Sequence, residues 1–75
     1  MIGGMAKEQD KAMKEVWRGP ARSHDSRVVT FIVSVDPDEP ELYVRTAAGD
    51  RAARLGKGAY FFKGKQYKTD DADAP

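Results

Sequence analysis

The chain has 75 residues, no cysteine and no apolar run near the ~20 residues of a membrane span, so it reads as one domain without disulfides, thiolate zinc sites or cysteine nucleophiles, with the cytoplasm as the expected compartment. Hydrophobic residues make up 40% and charged residues 33% of it. That composition allows only a thin core, so added stability is expected from a partner or from self-association as a homo-oligomer. The net charge of +1 hides an uneven distribution: residues 28–44 hold four carboxylates and no basic group, whereas residues 45–68 hold seven basic groups against Asp50 alone.

Residues 1–4 read as a flexible leader and residues 5–69 as the domain. Residues 5–18 predict a helix: Met5, Gln9, Ala12, Met13, Val16 and Trp17 recur at three- and four-residue spacing, and Lys7, Lys11, Lys14 and Arg18 fall mostly off that face. Gly19-Pro20 would stop it; alternatively the helix ends early and leaves residues 15–18 extended. Residues 21–27 are a polar connector.

Residues 28–35, Val-Val-Thr-Phe-Ile-Val-Ser-Val, form the longest β-branched run and predict the central strand. Val29, Phe31, Val33 and Val35 share its core face. Residues 36–40 are a turn, because aspartate folds back on the backbone and proline presets its dihedral. A partner strand follows at residues 41–46, with Leu42 and Val44 inward and Tyr43 and Arg45 outward. Residues 47–58 admit a short helix over 51–55 or a third strand after a turn at 48–50. The helical turn is favoured on the propensities of alanine and arginine. Residues 58–69 predict a hairpin with Lys63-Gly64 at its tip, Tyr60 opposite Tyr67 and Phe62 opposite Lys65. Tyr60, Phe62 and Tyr67 then face the core, and Phe61, Gln66 and Lys68 face away. Residues 70–75 read as a disordered acidic tail. The expected architecture is α+β: an N-terminal helix packed on an antiparallel meander of three to five strands, or the same strands closed as a small barrel. That outline is similar to small RNA-binding barrels, but no aromatic-basic ribonucleoprotein motif accompanies it.

The chemistry-bearing residue types do not converge. Ser23-His24-Asp25 holds the residues of a hydrolytic triad, but consecutive positions cannot supply its geometry. Asp36, Asp38, Glu39 and Glu41 are hard-cation ligands by type, yet their loop lacks the glycine of a calcium-binding turn. Gly56-Lys57-Gly58 and Lys63-Gly64-Lys65 lack the spacing of a phosphate-binding loop. No catalytic residue, metal site or cofactor is therefore assigned, and the chain is expected not to be an enzyme. The remaining signal is positive charge interleaved with rings. Arg45, Arg51, Arg54, Lys57, Phe61, Lys63, Lys65 and Lys68 are the expected nucleic-acid contacts, for DNA or RNA: the cations for phosphates and Phe61 for a base. The alternative is a protein-interaction module, an adaptor or inhibitor meeting an acidic protein surface. No membrane partner is expected.

Overall fold

The structure, a computed structural model, describes residues 13–75. Six strands follow one another: β1 (Lys14–Ser23), β2 (Val28–Asp36), β3 (Glu39–Thr46), β4 (Arg51–Gly56), β5 (Ala59–Phe62) and β6 (Lys65–Lys68). All are antiparallel to their neighbours, and β6 returns to β1 through Arg22↔Lys68 and Ser23↔Tyr67, so the meander closes into a barrel. Closure removes most of the exposed edges that a flat sheet of short strands would leave.

The α+β expectation is therefore corrected: the described residues are all-β, with no helix among them. Residues 14–18 of the expected helix lie in β1; its residues 5–12 fall outside the described residues. The physical reason lies in Gly19-Pro20. Neither residue stops a helix here. Trp17 folds its ring back over Gly19, where a Cβ would stand 2.7 Å from Trp17 Cζ2. Pro20 pairs with Thr30. The Thr30 carbonyl accepts from Ala47 on the β3 side, so Pro20 sits at a position of β1 that owes β2 no N–H. Its nitrogen turns toward the side where β6 pairs only with Arg22 and Ser23, which is where a strand tolerates proline.

The favoured helical turn at 51–55 is also corrected. That stretch is β4, entered through a turn in which Gly49 has φ +100° and the Thr46 side chain accepts from the Asp50 amide at 3.1 Å. Long-range pairing of Ala53 with Phe61 and of Arg54 with Tyr60 outweighs the local helix preference of Ala-Ala-Arg.

The turn after β2 and the hairpin stand as elements, though the turn is narrower than residues 36–40, since Asp36 pairs with Glu39 and β3 begins there. The Asp38 amide donates to the Asp36 carboxylate at 2.8 Å, closing the turn between β2 and β3. The hairpin has the expected register, Tyr60↔Tyr67 and Phe62↔Lys65, with positive φ at both Lys63 (49°) and Gly64 (78°), the conformation that suits a two-residue hairpin loop.

Phe31 is the hub of the core. Its ring centroid lies 5.2 Å from that of Tyr60, 5.4 Å from Tyr67 and 6.4 Å from Phe62. Trp17, Ala21, Val33 and Val44 complete the buried set from β1, β2 and β3. Residues 70–75 do not trail into solvent. Ala74 is wholly buried, and the Gly58 amide donates to the Pro75 main-chain oxygen at 2.8 Å. Among the described residues no buried side-chain nitrogen or oxygen lacks a hydrogen-bond partner, and no helix is long and apolar enough to cross a membrane.

Candidate nucleic-acid interface

The barrel divides the expected contact residues into those whose charge is taken up internally and those left to solvent. Lys57, in the turn between β4 and β5, donates to the main-chain oxygens of Ala72 and Ala74, each at 2.8 Å. Lys65 forms an ion pair with Asp25 at 3.1 Å. Lys63, at the hairpin tip, lies 5.4 Å from the centroid of the Phe62 ring, within cation–π range.

Arg45, Arg51 and Arg54 behave differently. Arg45 on β3 stands directly opposite Arg51 on β4. None of the three has a carboxylate partner among the described residues. Beyond the two pairs Val44↔Ala52 and Arg45↔Arg51, β3 and β4 part. The parting opens a groove of about 550 Å³, lined by all three arginines with Leu42, Tyr43 and Ala52 and by one carboxylate, that of Glu41. Arg54 reaches it from the other face of β4, at the register position of buried Tyr60. Burial pushes the Tyr60 hydroxyl above its ordinary pKa, and the Arg54 charge opposes that rise.

Phe61 projects outward from β5 and is 42% exposed. Its cross-strand neighbours are Ala53 on β4 and Gln66 on β6. Strand alternation puts Arg51 and Ala53 on one outward face of β4; the register shifts between Arg54 and Gly56, with Leu55 at the irregularity. Leu55 is 53% exposed. On that face the small, exposed Ala53 is the cross-strand partner of Phe61, and Arg51, two residues before it, is the partner of Arg45. Lys68 lies on the adjoining face, opposite Ala59 and Arg22. Sequence reasoning missed Ala53, Leu55 and Arg22. They carry no signal of their own and matter only through register, which the strand reading of β4 would have supplied.

The triad residues are part of the β1–β2 turn. The Ser23 hydroxyl donates to the Asp25 carboxylate, not to His24. That bond, with Lys65 and the Arg27 amide, holds the Asp25 carboxyl well below the ordinary carboxylate range. Ser26 sits at φ 70° in the same turn. The cluster ties β1–β2 to β6 and presents no activated nucleophile.

Comparison with known protein families, with characterised proteins and with solved structures returns no match.

Proposed function

We propose that this protein binds single-stranded nucleic acid across the outer face of β3, β4 and β5. The observation that carries the reading is Arg45 placed opposite Arg51. Like charges directly opposite one another on a sheet cost stability. No carboxylate among the described residues is within ion-pair distance of this pair. A bound phosphate would relieve it with charge-assisted, bidentate hydrogen bonds. Phe61 supplies the second element, an exposed ring on the neighbouring strand on which an unpaired base can stack. Ala53 between them leaves room for the intervening sugar.

The test is fluorescence anisotropy with labelled single-stranded RNA and DNA oligonucleotides, and the matching duplexes, at about 50 mM and about 200 mM salt. Two or three phosphate contacts predict a slope of log affinity against log salt of roughly −1.4 to −2.1 for single strands. Phe61→Ala is expected to remove ~1–3 kcal/mol of binding. Absence of binding at the lower salt, or binding without salt dependence, overturns the reading. It would leave the rival, an acidic protein surface docking on the same arginines and on Leu55 and Phe61. That rival predicts no affinity for a polyanion lacking apolar groups.

A further inference from the structure

The segment that follows β6 is held to the barrel by converging donors, not by strand pairing. Lys57 Nζ donates to the main-chain oxygens of Ala72 and Ala74. The Gly58 amide and the Tyr60 hydroxyl both donate to the Pro75 main-chain oxygen, at 2.8 and 3.1 Å. The Trp17 indole N–H donates to the Asp71 carboxylate at 2.9 Å. Ala74 fills a recess above Gly58, where an added Cβ would lie 4.0 Å from the Ala74 Cβ.

The recognition is one-sided. From Asp71 onward the barrel offers N–H and O–H groups and the segment offers main-chain oxygens and one carboxylate; before it, the Thr69 amide donates to the Gly58 oxygen at 3.0 Å. Of its side chains, Asp71 is read by the indole and Ala74 by the recess, while Ala72 and Asp73 are exposed. Proline suits the last position. It has no N–H to satisfy, and it keeps the residue before it, Ala74, from continuing in helical conformation past the turn. None of these contacts requires a covalent link between the segment and β6.

We propose that this end of the barrel is a peptide-binding site, occupied in cis by residues 71–75, that accepts in trans a peptide of the pattern Asp-x-x-Ala-Pro folded as the same turn, in which the Ala74 amide donates to the Asp71 main-chain oxygen and the Asp73 amide to the Asp71 carboxylate. The partner is a linear acidic segment carrying that pattern. Lys57 provides the complementary charge, and Trp17 and the Gly58 recess set the two side-chain requirements. The site is separate from the Arg45–Arg51 face and does not depend on it.

The experiment displaces the occupant and leaves the donors intact. Ala74→Glu in the full chain places a charge in a recess with no room for it. Trp17, the single tryptophan, reports the vacancy by its emission. A synthetic peptide with the sequence of residues 69–75 is then titrated in. The expected result is a saturable return of the emission to its wild-type position. A peptide carrying Asp71→Asn should bind about tenfold or more weakly, as expected for loss of a charged hydrogen-bond acceptor. A scrambled peptide should have no effect. If Ala74→Glu unfolds the chain, circular dichroism in the same titration takes over: recovery of the β spectrum with the true peptide and not the scrambled one supports the site equally. Failure of the true peptide to restore either signal, or equal restoration by the scrambled one, overturns the proposal.

Discussion

Trp17 in β1 and Asp71 beyond β6 are joined by a 2.9 Å hydrogen bond across 54 positions of sequence. The bond ties the acidic segment to the aromatic core, since the Trp17 ring also packs 5.9 Å from Tyr60. It gives the link a pH dependence of definite sign. The indole N–H, and after it the Asp73 amide, hold the Asp71 carboxyl below its ordinary pKa, with burial opposing and Lys57 assisting. A carboxyl whose folded pKa is depressed contributes stability that is complete above its unfolded value, ~3.9, and is lost as pH falls through the folded value. Trp17 emission is therefore expected to titrate with a midpoint below ~3.9, and Asp71→Asn should abolish that step. A midpoint above the ordinary value would contradict the assignment.

Gly19 and Gly56 form a matched pair for stability. A Cβ at Gly19 would meet Trp17 Cζ2 at 2.7 Å and Cη2 at 3.1 Å. The ring cannot retreat, because Tyr60 and the Asp71 hydrogen bond hold it. Gly19→Ala is expected to cost ~1–3 kcal/mol, in the range of overpacked cores, and to perturb Trp17 emission. At Gly56 nothing lies within 4 Å of an added Cβ, so Gly56→Ala should leave the urea midpoint unchanged or slightly raised. Equal losses at both sites would show that strand glycine itself, and not the Trp17 contact, is at issue.

Phe31 touches three rings of the β5–β6 hairpin, so its removal should separate the two halves of the barrel. Phe-to-Ala in a core costs ~3–5 kcal/mol. The stability available to a small domain is ~0.05–0.15 kcal/mol per residue. On that scale a 75-residue chain holds ~4–11 kcal/mol, so Phe31→Ala is expected to lose about a third or more of its stability and to have a far lower urea midpoint. Phe31→Leu, which retains most of the volume, should remain folded with a lowered urea midpoint. Urea denaturation followed through Trp17 checks the order, wild type above Phe31→Leu above Phe31→Ala.

The elements legible in the sequence were those whose signal is local. The Val28–Asp36 strand declares itself by β-branching, and the Lys63-Gly64 hairpin by its turn, which also fixed the facing of Tyr60, Phe61 and Tyr67. β1 and β4 were misread because a local helical signal was weighed without the pairing that overrides it. A second signal was present in β1. Trp17, Gly19, Ala21 and Ser23 alternate with Arg18, Pro20 and Arg22, a period of two running through the supposed helix stop. In β4 no such alternation exists, and only its partners on β3 and β5, Val44 and Arg45 on one side and Ala59, Tyr60 and Phe61 on the other, define the strand. Charge located the basic half of the chain correctly but could not sort its members. That Lys57 is engaged by Ala72 and Ala74, and Lys65 by Asp25, depends on contacts distant in sequence.

Arg51→Glu separates stability from binding by moving them in opposite directions. It places a carboxylate opposite Arg45, converting a repulsive cross-strand pair into an attractive one. Cross-strand charge pairs are worth ~0.2–1 kcal/mol, so the variant should unfold at a higher urea concentration than the wild type. The same change removes one phosphate ligand and places negative charge beside another, so affinity for single-stranded nucleic acid should fall by at least about tenfold, a loss of ~1.4 kcal/mol, with a shallower salt slope. Both quantities are measured on one preparation, by urea denaturation followed through Trp17 and by anisotropy. A variant more stable and weaker in binding identifies Arg51 as a residue kept for its ligand at the expense of the fold. A variant more stable with unchanged affinity moves the interface elsewhere, and one less stable means that Arg51 has a structural role that the β3–β4 pairing does not explain.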